Sequence, residues 1–311
     1  MIKKSSKVAI IGSGFVGSSA AFAMAHNGLA NEVVLIDVNK EKAFGEAMDI
    51  NHGISYLGQI KIHSGDYDEV KDCDVIVITA GANRKPGETR LDLAKKNVAI
   101  MKDITTNIMK HYNGGVIVVV SNPVDVLTYM IKKWTGLPAE KVISSGTNLD
   151  SARFRYFISQ KLGVDVKNVH GYIIGEHGDS QLPFWSATHV AGKKLTECSL
   201  LSEAEKEEIV QEVRQAGATI IKNKGATYYA IAISINRIVE SILKNMKTIM
   251  PVGIVLDGQY GISDVAVSVP CVVGHNGVER MFEMDMTPEE MAAFKASAEA
   301  VKAVLNEVKD I

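Results

Sequence analysis

His177 stands in Tyr172-Ile-Ile-Gly175-Glu-His177-Gly178-Asp179, a glycine-flanked turn that follows an apolar run. A neutral imidazole titrates in the range needed to take a proton from a hydroxyl, as hydride transfer from an alcohol carbon requires. Such a base needs a carboxylate that fixes its tautomer and stabilises its protonated form. Asp150, in Asn148-Leu-Asp150-Ser-Ala-Arg153-Phe-Arg155, is the best candidate. Asp179 is the local alternative, but two residues on through a glycine it is expected to order its own turn. Arg153 follows Asp150 by three residues, so both project from one face of a helix. A guanidinium fork there could grip a substrate carboxylate. A solvated helix arginine is the plain alternative, and the Asp150 next to it weighs against that.

Two further arginines, Arg84 and Arg90, flank a Pro-Gly turn in Gly81-Ala-Asn-Arg84-Lys-Pro-Gly-Glu-Thr-Arg90. The loop follows the apolar run Val75 to Thr79, and an open α/β sheet binds ligands beyond the carboxyl ends of its strands. Asn122, in Ser121-Asn122-Pro123-Val-Asp, stands just past another such run and could bond the reacting oxygen or a nicotinamide ribose. An ordinary turn residue before a helix-initiating proline would look the same.

Gly12-Ser-Gly14-Phe15-Val16-Gly17 follows the first apolar run and opens a helix. Gly12 permits the tight turn, Gly14 lets a pyrophosphate approach the backbone, and Gly17 lets helix and strand pack closely. The helix start offers free N–H groups and a partial positive charge to the anion. Asp37 ends the second strand twenty residues after Gly17. Its carboxylate can accept from ribose hydroxyls and would repel a 2′-phosphate, so NAD is expected over NADP.

The elements that must position these residues alternate in type. Lys7–Ile11, Glu32–Ile36, Ile60–His63, Val75–Thr79, Val116–Val120 and Val142–Ser145 read as strands. Helical patterns over Phe15–Asn27, Lys40–Ile54, Leu91–Tyr112 and Val124–Trp134 separate most of them. Apolar strands joined by helices imply a Rossmann-type doubly wound parallel sheet, here an NAD-binding domain over residues 1–145. After about residue 146 the pattern changes to a helix over Leu149–Leu162, strand-like Val169–Ile174 and Gln181–Val190, and helices from Ser202 toward Lys222 and over Tyr228–Lys244. Shorter strands around Val252–Leu256 and Asp264–Val273 precede a closing amphipathic helix. Capping boxes at Ser202-Glu-Ala-Glu205 and Thr287-Pro-Glu-Glu290 open two of these helices. Residues 146–311 are thus expected to form an α+β catalytic domain.

With 311 residues, 46% apolar, the chain can bury a large core. A net charge of −2 with no basic stripe argues against a nucleic-acid partner. Cys73, Cys198 and Cys271 have neither disulfide nor zinc spacing and read as free thiols, and no metal site is expected. No apolar run approaches a membrane span, and the basic start lacks a signal-peptide core, so a cytoplasmic protein is expected.

Taken together, the glycine motif with Asp37, the Arg84–Arg90 loop, Ser121-Asn-Pro, Asp150 with Arg153, and Gly-Glu-His177-Gly-Asp resemble the lactate/malate dehydrogenase family from about residue 7 to the last helix. The resemblance implies His177 as acid/base, Asp150 as its partner, Arg153 as carboxylate anchor and Arg90 as the arginine that polarises the carbonyl, on a lid of residues 82–92. It also implies a homo-oligomer, dimer or tetramer, with the Leu149–Leu162 region at an interface. In that family Arg84 occupies the position facing the variable end of the substrate, typically arginine in malate enzymes and glutamine in lactate enzymes. Oxaloacetate would otherwise bury an unpaired carboxylate there, so malate is expected, with L-lactate as the alternative. Thr227 matches the second specificity position and pulls toward lactate by narrowing the space. Arg155 and His170 match residues that hold fructose 1,6-bisphosphate in allosteric bacterial lactate dehydrogenases, though they could equally be inherited interface residues with no effector. Two rival classes are a non-catalytic NAD-binding protein and an NAD-dependent glycosidase. The first needs none of the His177, Asp150, Arg153 and Arg90 set together. The second usually needs a Cys/His metal site, and no cysteine lies near His177 in sequence.

Overall fold

The computed structural model describes residues 6–83 and 87–311. Arg84 therefore lies outside the described residues. The first half alternates β1 (Lys7–Ile11), α1 (Phe15–His26), β2 (Glu32–Ile36), α2 (Lys40–His52), β3 (Lys61–Ser64), β4 (Val75–Ile78), α3 (Arg90–Met109), β5 (Val116–Val119), α4 (Val124–Thr135) and β6 (Val142–Ser144). Strands β1 and β4–β6 are buried at every residue, as strands covered by helices on both faces must be. All neighbours among β1–β6 pair in parallel.

The second half runs α5 (Asn148–Leu162), β7 (Val169–His170), β8 (Ile173–Ile174), β9 (Leu182–Pro183), β10 (His189–Val190) and β11 (Lys193–Lys194). It continues with α6 (Glu203–Lys224), α7 (Tyr229–Leu243), β12 (Thr248–Asp257), β13 (Ser263–Gly274), β14 (Gly277–Met281) and α8 (Pro288–Val308). Its long hairpin does not stand apart. The main sheet has nine strands in the order β14-β13-β12-β6-β5-β4-β1-β2-β3, and β12 joins β6 antiparallel through Gly253 opposite Ser144. A Cβ at Gly253 would lie 2.1 Å from the Ser144 hydroxyl, so a larger residue at the seam would have to displace that side chain. One hydrophobic core accordingly spans both halves, and a smaller one gathers Phe154, Ile158, Val169, Ile209 and Val213.

Two expected strands are corrected. Val169–Ile174 divides at Gly171, where a Cβ would press on Phe154 and Thr188, and its two ends join different sheets. Gln181–Val190 breaks into two short strands around a 3-10 turn at Trp185–Ala187. Pro183 has no N–H to extend a ladder, which limits β9. Helix α3 starts at Arg90 because Thr89 caps it: the Thr89 hydroxyl accepts from Asp92 N and the Asp92 carboxylate accepts from Thr89 N. Among the described residues no helix is long and apolar enough to cross a membrane.

The box that opens α8 also ties it to the rest of the second half. Thr287 Oγ1 accepts from Glu290 N at 3.2 Å, while the nearly buried Glu290 carboxylate accepts from Thr287 N and from Ser186 N. Thr287→Ala is expected to cost about 1 kcal/mol of unfolding free energy. Urea unfolding of the two proteins measures it, and the loss should appear as a lower midpoint at unchanged slope.

Candidate active site

Helix α5 carries Asp150 in its first turn and Arg153 one turn on, both facing inward. The Asp150 side chain is only 3% exposed. Its Oδ2 lies 2.5 Å from His177 Nδ1, and its Oδ1 accepts from Arg153 Nη1 at 2.9 Å. The three residues expected to act together are therefore brought together by one carboxylate. Burial alone would raise the Asp150 pKa, but the imidazolium of His177 and the guanidinium of Arg153 outweigh it and hold the carboxyl below its ordinary value. His177 answers in the opposite direction. The negative charge of Asp150 overcomes the cost of burial and pushes the imidazole up to about 9. Since Nδ1 is taken, Nε2 is the nitrogen free to meet a substrate, and the ring remains 28% exposed.

The turn that presents His177 depends on close packing. Gly175 has φ +87°, and a Cβ there would lie 2.6 Å from Ser297 Oγ. The Glu176 carboxylate folds over Gly178 and accepts from the backbone and hydroxyl of Ser180. Glu176, not Asp179, thus orders the turn. Asp179 instead accepts from Arg90 Nη2 at 2.7 Å, correcting the expectation from sequence. Both partners are more than half exposed, so the pair is weak and easily exchanged.

The glycine motif has the shape expected of a pyrophosphate cradle. Gly12, at φ +104°, passes so close to β4 that a Cβ would lie 2.5 Å from Ala80 N. A Cβ at Gly17 would lie 1.9 Å from Gly12 O. A Cβ at Gly14 would meet nothing within 4 Å, so no contact of the chain itself demands glycine there; an approaching ligand would. Gly14 is the N-cap of α1 and no side chain caps that end, which leaves N–H groups for an anion. Asp37 follows β2, and its carboxylate accepts from Ser13 N at 2.6 Å and Asn39 N at 2.9 Å, facing the cradle as a ribose acceptor would. Val16 packs on the core. Phe15 is 68% exposed and stacks on Tyr228 with ring centroids 5.2 Å apart. Thr227 is the residue before Tyr228 in the chain. These residues fit a bound NAD.

Sequence reasoning passed over two residues. The side chain of Asn97, buried in α3, accepts from Ala82 N at 2.8 Å and donates to Ala82 O and to Asn122 O. It joins the start of the arginine loop to the segment carrying the exposed Asn122. A buried asparagine on an apolar helix face was the available signal. Asp125 is buried in the first turn of α4 and accepts from His177 N at 2.7 Å. An acid in a first helical turn suits the helix dipole, so nothing in the sequence marked it.

Arg155 and His170 line one 610 Å³ groove together with Lys167 and Tyr172. Arg155 donates to Gly171 O, and burial lowers its pKa. Glu32, His63 and Glu69 also come within metal-ligand reach of one another. Lys7 and Lys61 reach into that group and neutralise it with ammonium charge, so it reads as an ion-pair network.

Comparison with known proteins shows the family. Residues 6–144 match the family described as lactate/malate dehydrogenase, NAD binding domain, and residues 147–311 match lactate/malate dehydrogenase, alpha/beta C-terminal domain. An L-lactate dehydrogenase of Thermoanaerobacter sp. (strain X514) is 50% identical over 307 residues, covering 97% of this chain and 99% of that one. The structure of an L-lactate dehydrogenase from Clostridium thermocellum is 64% identical, with TM-score 0.89 over 98% of this chain and 99% of that one. The ligand-bound minor L-lactate dehydrogenase from Enterococcus mundtii is 46% identical, with TM-score 0.96 over the same shares.

The raised pKa of His177 is also a statement about stability. Its folded value of about 9 lies above the ordinary 6.5, so its contribution is complete below about 6.5 and is lost as pH rises through about 9. His177→Asn should therefore be less stable than the parent by about 1–3 kcal/mol at pH 6, with the gap closing toward pH 9.5. Chemical unfolding across this pH range measures the gap. A gap independent of pH would remove the ion pair from the account.

Proposed function

The chain belongs to the lactate/malate dehydrogenase family, and on that footing we propose that it interconverts a small (S)-2-hydroxy acid and its 2-oxo acid, with malate and oxaloacetate as the preferred pair. The observation that carries the reaction class is the buried Asp150 carboxylate shared by His177 and Arg153. NAD is the cofactor, and when bound it supplies the hydride acceptor or donor.

The chain does the rest. Gly12, Gly14, Phe15, Val16, Gly17 and Asp37 hold the cofactor, and Asn122 borders its reactive end. Arg153 binds the carboxylate common to all 2-oxo acids. His177 Nε2 takes the hydroxyl proton in oxidation and returns it in reduction, while Asp150 stabilises the charged ring between the two. Arg90 exchanges Asp179 for the carbonyl oxygen as negative charge builds there. His177→Asn should lower kcat by about 10³-fold or more while NADH binding, read by fluorescence, persists. Near-normal turnover would remove His177 from this role.

The substrate choice rests on the residue type of Arg84 and its place in the sequence. A second carboxylate entering a closed site needs a cation, and a methyl group does not. A specific observation favours a second reading, L-lactate and pyruvate. The relatives cited above are L-lactate dehydrogenases, and the comparisons support this reading better than the malate one. Thr227 points the same way. Side-by-side assays decide: oxaloacetate should exceed pyruvate in kcat/KM by about 10²-fold or more, and Arg84→Gln should erase the preference. Equal or better rates with pyruvate select the second reading.

The same proposal includes a boundary between domains at residues 145 and 146 and a homo-oligomer in the cytoplasm. The exposed Phe22, Phe44 and Met48 on α1 and α2 support association, and the free Cys73, Cys198 and Cys271 suit a reducing compartment. It also includes a phosphate-bearing effector, such as fructose 1,6-bisphosphate, at Arg155 and His170, supported by the shared groove and by Lys167.

A further inference from the structure

We propose that Asp125 is a second carboxylate of the His177 centre, a positioning residue that holds the histidine's backbone and adds negative charge near it. The inference rests on His177 as the acid/base.

Asp125 reaches the histidine from a different helix than Asp150. Its Oδ2 accepts from His177 N at 2.7 Å, so the main chain of His177 is held by α4 while its ring is held by α5. The carboxyl is 3% exposed, and its Oδ1 has no hydrogen-bond partner among the described residues. That oxygen faces the seam between β6 and β12, where a Cβ on Gly253 would come within 3.5 Å of it and the Ser144 hydroxyl is likewise unpartnered. Accepting one backbone N–H requires only a carbonyl oxygen. An amide would do that without the cost of burying a charge, which runs to several kcal/mol. The charge needs a separate account, and the cation it can compensate is the imidazolium of His177.

The charged groups acting on the ring come from two helices, Asp150 and Arg153 from α5 and Asp125 from α4, while Glu176 in the histidine's own turn acts on Asp125. The outer Arg90–Asp179 pair lies at the solvent edge. Burial pushes the Asp125 carboxyl up to about 7, below the value of about 9 for His177. The two groups are coupled: an ionised Asp125 favours the protonated ring, and the protonated ring favours an ionised Asp125. A single segment then serves the site twice: residues 121–125 tie to the start of the arginine loop through Ser121 and Asn122 and, three residues later, hold the backbone of His177.

Asp125→Asn keeps an oxygen for His177 N and removes the charge; Asp125→Ala removes both. The His177 ring is titrated by NMR in the parent and in Asp125→Asn, its signal identified by its absence in His177→Asn. Removing a negative charge should move the titration to lower pH by about half a unit or more. The high-pH fall of 2-oxo acid reduction should move with it. Asp125→Ala should lower kcat about tenfold or more with KM changed much less, because the backbone N–H loses its acceptor. Thermal melts establish that each variant is folded before it is measured. If Asp125→Asn is folded and its His177 titration does not move, the charge role is overturned. If Asp125→Ala is folded and keeps the parent kcat, the positioning role is overturned. Turnover retained by His177→Asn would instead sink the acid/base reading on which this rests, and that outcome is separately visible.

Discussion

The Asp150 carboxylate is buried and divided between two cations, and most of the site follows from that. A buried carboxylate left without partners is strongly destabilising, on the order of 3–5 kcal/mol when one partner of such a pair is removed. Its two oxygens instead hold His177 and Arg153, one on each. The arrangement orients the imidazole, raises its proton affinity and holds the Arg153 guanidinium on the same carboxylate. Each of these would be lost if α5 and the turn of residues 175–178 shifted apart.

Keeping them in place falls to close backbone approaches. Gly253 lets β12 run against β6, so the hairpin of the second half continues the sheet of the first. Gly175 lets the His177 turn lie against Ser297 of α8, and Gly175 pairs in turn with Ser268 of β13. The base is thus mounted on the same rigid sheet that carries the glycine cradle on β1. The Phe15–Tyr228 stack and the packing of α1 against α7 close the other side. Hydride and proton transfer need their groups in fixed relation across two regions of the chain, and a continuous core gives that relation little freedom to vary.

Much of this was legible beforehand. The six parallel strands and their helices announced themselves as apolar β-branched runs alternating with amphipathic stretches, and their ends moved by only a few residues. The two capping boxes at Ser202 and Thr287 stood where read. Asp150 and Arg153 were visible because an i, i+3 spacing is a local property of a helix. The region from 169 to 190 misled, because apolar runs there have strand propensity while Gly171 and Pro183 deny them a long partner. Asp179 misled for a related reason: its partner, Arg90, lies far away in sequence and only the folded chain brings it near.

The sequence by itself determined the elements, the cradle and the chemical types available, because periodicity, capping and glycine spacing act over a few residues. It also carries Arg84, on whose residue type the proposed substrate preference rests. Only the tertiary structure decided which acid serves which base. Asp150 and Asp179 are both plausible neighbours of His177 on paper, whereas Asp125 is not marked at all. Burial and distance separate them into one that holds the ring, one at the solvent edge that holds Arg90, and one that holds the backbone. Electrostatic roles depend on desolvation and on separations of a few ångströms, and those quantities exist only once distant segments have packed.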